Sequence, residues 1–150
     1  MRFYLIKEVP IAFETVLKKL PRELQRHGFE LLGTVQIDKE IRRNLGVDYK
    51  RSALLTISNL QLAYKTLLRD EDSALLQFLP LFFYEKNGGT AFSTFRPTQL
   101  FPILQNDYRD DEAIIIEKKL MEVLELFCRK PTTGKSKKKL SSDSLIRAIA

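Results

Sequence analysis

A tight-turn sequence, Lys86-Asn87-Gly88-Gly89, separates two apolar segments at residues 75–85 and 90–96. Asn and Gly adopt positive φ at little cost, and a two-residue turn between antiparallel strands requires that conformation. The two segments therefore predict a β-hairpin. A chain that contains this hairpin builds at least part of its sheet from antiparallel neighbours.

Alternating or continuous apolar runs predict three further strands, at residues 3–9, 31–37 and 52–58. Helical spacing of apolar residues predicts one helix after each of these three strands. It also predicts a last helix, after the hairpin, that begins at Asp110 or Asp111. The predicted order is β-α-β-α-β-α-β-β-α. Because the hairpin is antiparallel and the helices are unequal, we expect an α+β fold with helices on one face of the sheet, not a doubly wound sheet.

The ends of the predicted helices carry local signals. Gly28 and Gly46 each follow a helical pattern at the position where a left-handed residue ends a helix, so both should have positive φ. Asp38 and Asn59 are the expected N-caps of the second and third helices. Pro21 lies inside the first helical pattern, where it should kink the helix or split it in two.

The last predicted helix should be the central core element, because its apolar residues recur at the spacing of one helix face. These residues are Ala113, Ile116, Leu120, Val123, Leu124 and Phe127. The third helix shows a similar face, formed by Leu60, Ala63, Tyr64, Leu67 and Leu68. Both faces are expected to pack against the sheet.

The formal net charge of +6 comes from the C-terminal part of the chain. Residues 129–139 hold six cations and no acid, so the remaining 19 basic residues balance the 19 acidic ones. A folded nucleic-acid-binding domain normally carries a basic face of its own. We therefore expect one α+β domain over residues 1–129 and a separable basic tail over residues 130–150.

The composition of the tail indicates two kinds of contact. An anionic partner or a nucleic acid would be bound only through the tail, by Lys135, Lys137, Lys138 and Lys139. Ser142 is placed to cap a short terminal helix with Leu145, Ile146 and Ile149 on one side. Such a helix is too short to be stable alone, so it would need to dock on this domain, on a second subunit or on a partner.

Several classes of protein do not fit the sequence. No apolar run approaches the roughly 18 residues that a membrane span needs, and the N-terminal segment becomes charged too soon for a signal peptide. A single cysteine, Cys128, cannot form an internal disulfide, so nothing calls for an oxidising compartment. We expect a cytoplasmic protein without a membrane span.

Three short motifs carry a family resemblance: His27-Gly28-Phe29, the run from Ile37-Asp38-Lys39 to Asn44-Leu45-Gly46-Val47, and Ser58-Asn59-Leu60-Gln61-Leu62-Ala63-Tyr64-Lys65. With Leu79-Pro80 and Tyr84-Glu85-Lys86, the chain resembles the family called domain of unknown function 302 over about residues 3–127. The resemblance implies a fold similar to the TATA-binding-protein and helix-grip group, with a curved antiparallel sheet around a long C-terminal helix. It implies no established activity.

The chain departs from that family at two positions where many members carry cysteine. Here these positions are Ser58 and Leu81, and the proline that often follows Asn59 is Leu60. A thiol, redox or metal role imagined for the family is therefore not expected in this chain. We identify no catalytic residue, no metal ligand set and no cofactor site.

Three other features are interpreted as structural. His27, the only histidine, lies next to a helix C-terminus, where a cation is stabilised by the helix dipole. Cys128 adjoins the core face of the last helix and is expected to be a buried or half-buried thiol. The basic cluster Lys39, Arg42, Arg43, Lys50 and Arg51 is expected to be a solvated face paired with Glu40 and Asp48; binding of a phosphate is the alternative.

The aromatic residues of the hairpin lead to the functional hypotheses. Strand alternation points Phe82 and Tyr84 to one face of the sheet and Phe83 to the other. Monomers rarely expose such an apolar face, so the protein's own elements, another subunit or an apolar ligand should cover it. Our first hypothesis is a non-enzymatic binding or assembly module, a homodimer with a small apolar ligand site between the curved sheet and the last helix. The candidate ligand residues are Ser58, Asn59, Tyr64 and Phe92. An enzyme acting on a small molecule, or binding of polyanions by the tail, are the alternatives.

Overall fold

The computed structural model describes residues 3–104 and 110–128. Its strands are β1 (Tyr4–Val9), β2 (Glu30–Gln36), β3 (Ser52–Ser58), β4 (Leu79–Lys86) and β5 (Gly89–Phe95). Its helices are α1 (Phe13–Arg26), α2 (Ile37–Leu45), α3 (Leu60–Arg69), α4 (Pro97–Leu104) and α5 (Asp110–Leu126), with a short 3-10 helix at Ser73–Gln77. The predicted basic tail, including its four candidate lysines, lies outside the described residues.

The five strands form one antiparallel sheet in the order β1-β5-β4-β3-β2. The predicted hairpin is confirmed, since β4 and β5 pair and the two turn residues Asn87 and Gly88 have φ of 51° and 80°. Positive φ at both positions is typical of the type I′ turn, whose twist matches that of the flanking strands. The fold is α+β, as expected.

The core lies on one face of the sheet, between the strands and helices α1, α4 and α5. Phe83 of β4 and Phe92 of β5 are both fully buried, and their ring centroids are 5.8 Å apart. Phe13 of α1 contacts the Phe83 ring at 5.2 Å, and Phe127, just after α5, contacts the Phe92 ring at 6.0 Å. All six side chains predicted to form the core face of the last helix are buried.

Several predicted boundaries are wrong. Residues 75–78 do not belong to β4, because the 3-10 helix runs from Ser73 to Gln77 and the strand begins only at Leu79. Polar contacts before it favour the turn: the Ser73 hydroxyl donates to an Asp70 carboxylate oxygen at 2.6 Å. Residues 97–104, where the predicted order contains no helix, form α4, which begins at Pro97 in the first turn, where a proline costs no backbone hydrogen bond.

Of the two effects predicted for Pro21, a split does not occur, because α1 runs unbroken from Phe13 to Arg26. The prediction for Asp38 is wrong. Asp38 does not cap α2, because the helix begins one residue earlier, at Ile37. The Asp38 carboxylate instead accepts a hydrogen bond from the backbone N–H of Ser52 at 3.1 Å, which ties the start of α2 to the start of β3.

The predicted orientation of α3 is also wrong. Of the five apolar residues predicted to face the sheet only Ala63 is buried; the other four are exposed. The buried side is fixed by Thr66, whose hydroxyl donates to the Leu62 carbonyl and accepts from the Gln77 amide at 3.3 Å. This polar contact with the 3-10 helix turns the Ala63 and Thr66 side inward. Leu62 is half-buried against the core, and the other large apolar side chains of α3 are left at the surface.

The predicted positive φ of the two glycines that follow helices α1 and α2 is confirmed, with 88° at Gly28 and 70° at Gly46. After α1, the Phe29 N–H donates to Leu24 and the Gly28 N–H donates to Gln25, which is the Schellman pattern. A side chain at Gly46 meets nothing within 4 Å, so its cost would come from backbone conformation alone.

Replacement of Gly46 by valine is therefore expected to lower the free energy of unfolding by about 1–2 kcal/mol, the cost of a left-handed conformation for a residue with a Cβ. Gly33→Val is the matched control, since Gly33 also has open space around it and no positive φ. Urea titration of both variants measures the difference. Equal stability of the two would contradict the conformational explanation.

Candidate functional site

The structure separates the four residues predicted to bind a ligand. Phe92 is buried in the aromatic core, whereas Tyr64 is 62% exposed on α3. Ser58 and Asn59 are neighbours where β3 meets α3, and the Asn59 side chain accepts a hydrogen bond from the Leu62 N–H at 3.3 Å as the predicted N-cap. Asn59 thus has a structural task, and a ligand-binding role for the four residues stays a prediction.

Ser58 is fully buried, and within the described part of the chain its hydroxyl has no hydrogen-bond partner. A buried polar group without a partner costs about 1–3 kcal/mol. Ser58→Ala is therefore expected to leave the free energy of unfolding unchanged or to raise it by up to about this amount. Asn59→Ala, measured beside it by denaturant titration, should lower it by about 0.5–2 kcal/mol through loss of the cap. A clear loss of stability in Ser58→Ala would show that the hydroxyl is satisfied.

The histidine and the cysteine occupy positions that fit their structural interpretation. His27 Nδ1 lies 2.9 Å from the backbone carbonyl of Glu23, one turn earlier in α1. Cys128 is half-buried, and burial together with the nearby Glu125 carboxylate raises the pKa of its thiol, while Lys7 acts in the opposite direction. A thiol with a raised pKa is a poor nucleophile at neutral pH.

The basic cluster around α2 is largely neutralised by neighbouring acids. Arg42 pairs with Asp48, and Arg43 pairs with Glu40. Arg51 pairs with Glu14, lies 3.7 Å from Asp38 and stacks on the Phe13 ring at 4.8 Å. Lys50 lies over the Tyr84 ring at 4.6 Å. These contacts favour the solvated, paired face over a phosphate site.

The face of the sheet opposite the core carries mainly apolar side chains, and the described elements cover them only in part. The register places five side chains in one row across all strands: Ile6, Ser93, Phe82, Leu54 and Val35. We call this row, with Tyr4, Phe95 and Tyr84 beside it, the open face. Ile6 and Val35, at the two ends of the row, stay 53% and 42% exposed, so the described elements do not cover it.

Aromatic contacts organise the open face. The rings of Tyr4 and Phe95 stack at 5.8 Å, and those of Phe82 and Tyr84 lie 5.4 Å apart. The prediction that Phe82 and Tyr84 share a face opposite Phe83 is confirmed. The places of Ile6, Leu54 and Val35 on this face were not predictable from their own segments, because they follow only once the strands are aligned.

Charges lie around the open face and not in its middle row. Glu8 and Lys86 form an ion pair of 2.8 Å at one end, and the hydrogen bond to Glu8 raises the pKa of Lys86. An apolar, aromatic centre with a charged rim is the composition of protein–protein interfaces.

A groove of about 500 Å³ lies where the edge strand β1 approaches α5. Tyr4, Ile6, Ile114 and Met121 contribute apolar walls. Arg96 and Glu117 form an ion pair of 3.0 Å in it, and Glu117 also accepts hydrogen bonds from the Thr98 N–H and hydroxyl. The groove lies between sheet and last helix, where a small ligand was expected, but none of the four predicted ligand residues lines it.

Residues 3–104 and 110–128 contain neither a cluster of metal-ligating side chains nor a helix that could span a membrane. No three His, Cys, Asp or Glu side chains in this part of the chain converge as metal ligands would. No helix there is both long and apolar enough to cross a membrane.

Comparison with known proteins gives a family and a fold. The family model described as Domain of unknown function DUF302 matches residues 5–127. The crystal structure of an uncharacterized conserved protein DUF302 from Bacillus stearothermophilus superimposes with a TM-score of 0.74 at 23% identity, covering 86% of this chain and 100% of that chain. No curated protein matches the chain.

Proposed function

The chain belongs to the DUF302 family, and on that premise we propose that it is an assembly module, a homodimer in which a second copy covers the open face. The observation that carries the proposal is the row of five side chains without a charge, whose two ends remain about half exposed. Monomers rarely keep an apolar face of this kind in contact with water.

The size of the open face fits this role. Five strands about 4.8 Å apart, each about seven residues of about 3.3 Å, span roughly 550 Å² in projection. Side chains that stand up from the sheet present more accessible area than this projection. A standard interface buries about 800 Å² on each partner, so the open face with its rim is large enough for one.

A second copy is also the partner that the symmetry favours. Two identical faces packed about a two-fold axis bring the uncharged row of one copy against the same row of the other copy. We also propose that the fold is similar to that of the TATA-binding-protein and helix-grip group. In such a fold the sheet would curve around α5 on its covered face. A cytoplasmic location belongs to the same proposal, since the single half-buried cysteine requires no oxidising compartment.

A small apolar ligand in the groove between β1 and α5 is the second candidate, favoured by the volume of about 500 Å³. Native mass spectrometry of the full chain distinguishes the two, because it reports the oligomer and any retained ligand together. The assembly proposal predicts a species of twice the chain mass with no added mass. A monomer that carries a small molecule would favour the ligand-binding alternative, and a bare monomer would contradict both.

A further inference from the structure

Helix α3 leaves an apolar strip uncovered on its own surface, apart from the open face of the sheet. Leu60, Tyr64, Leu67 and Leu68 lie at positions i, i+4, i+7 and i+8, so they share one side of the helix. Their exposed fractions run from 39% at Leu67 to 69% at Leu68. We call these four residues the α3 strip. Its spacing is that of a helix that packs against another helix.

Three consecutive acidic residues stand at the C-terminal end of the α3 strip. Asp70, Glu71 and Asp72 are all exposed, and they follow the end of the helix, where the helix dipole adds negative potential. The hydrogen bond from the Ser73 hydroxyl lowers the pKa of Asp70 and so favours its charged form. The surface thus offers an apolar strip with one negative end.

The chain itself contains a segment with the matching order of charge and apolar residues. Lys135, Lys137, Lys138 and Lys139 come first, and Leu145, Ile146 and Ile149 follow at helical spacing. We propose that residues 142–150 dock on the α3 strip of the same chain, antiparallel to α3. In that orientation the lysines lie beside Asp70, Glu71 and Asp72, and the apolar side chains run from Leu68 towards Leu60.

The dimensions agree with this arrangement. The α3 strip covers eight helical steps from Leu60 to Leu68, about 12 Å, and residues 142–150 cover the same length as a helix. From Cys128 to Ser142 there are 14 steps, which extend to about 46–50 Å. A domain of this size has a diameter of roughly 35–40 Å, so the extended linker is longer than the domain is wide.

Tethering reduces the affinity that docking requires. A segment joined by a short flexible linker has an effective concentration in the millimolar range near its own domain. A contact that would be negligible between separate molecules is then substantially occupied. Three apolar side chains and a set of opposed charges suffice for such a contact, whereas a second copy at micromolar concentration competes poorly.

The test uses a fluorescent reporter in the full chain, which has no native tryptophan. Ile146→Trp places a single indole in the segment, and docking on the α3 strip should shift its emission to shorter wavelength and protect it from iodide. Adding Leu68→Glu should reverse both effects. Leu45→Glu is the matched control, because Leu45 is 70% exposed on α2 and should leave the emission unchanged.

A charge exchange tests the orientation. Reversal of Lys137, Lys138 and Lys139 to Glu should expose the indole, and adding Glu71→Lys with Asp72→Lys should restore the protected emission. Far-UV circular dichroism checks that each variant is folded. The proposal is wrong if Ile146→Trp and a second reporter, Ile149→Trp, both emit as in water, or if Leu68→Glu has no effect. Protection that grows with protein concentration would assign the contact to a second copy and overturn docking within one chain.

Discussion

Leu120→Ala and Leu124→Ala are each expected to lower the free energy of unfolding by about 2–5 kcal/mol, the range of buried leucine truncations. Both side chains project from α5 into the core and are at most 1% exposed. Removal of three carbon atoms there leaves a cavity that close-packed neighbours fill only in part. Urea denaturation followed by circular dichroism measures the loss.

Ile114→Ala on the same helix is the control. Ile114 is 51% exposed, so its truncation removes little buried surface and should change the stability by less than about 0.5 kcal/mol. A small effect at both leucines, comparable to that at Ile114, would show that α5 is not the centre of the core.

Phe82→Glu is expected to weaken the dimer by about 30-fold or more. Phe82 lies in the middle of the row that crosses the open face, and a glutamate there would bury a carboxylate without a partner in the interface. Truncation of central aromatic anchors typically costs at least about 2 kcal/mol of binding, which corresponds to that factor in the dissociation constant. Isothermal dilution calorimetry measures it.

Leu45→Glu introduces the same charge at another exposed apolar residue, which lies on α2 and is not one of the residues that define the open face. It should leave the dissociation constant unchanged within about twofold, since surface substitutions away from the contact have small effects. If both variants weakened the dimer equally, the contact would lie elsewhere than the open face. Since Phe82 is only half-buried in one copy, Phe82→Glu should remain folded, which far-UV circular dichroism verifies.

The features that were predictable from sequence are those set by neighbours along the chain. The turn at Asn87-Gly88, the left-handed glycines at 28 and 46 and the Asn59 cap each depend on a few adjacent residues. The core face of α5 was predictable because a helix repeats its period regardless of what it packs against. Alternation in β4 assigned Phe82 and Phe83 to opposite faces for the same reason.

The features that were missed depend on contacts between distant segments. The apolar run 75–78 resembles a strand, but its hydrogen bonds with the preceding turn and with Thr66 make it a 3-10 helix. The contact between Thr66 and Gln77 determines which side of α3 is buried, and the spacing of apolar residues along α3 gives no information on that contact. The row across the open face required the register of five strands, and the burial of Phe92 required the position of Phe127.

Sedimentation velocity of the unmodified full chain tests the central claim most directly, because it reports whether the chain associates with a second copy under native conditions. Across a series from low to high micromolar concentration, we predict one boundary that moves towards the sedimentation coefficient of a compact dimer and remains there. A coefficient that stays at the value of a compact monomer at the highest concentration would contradict the proposed assembly.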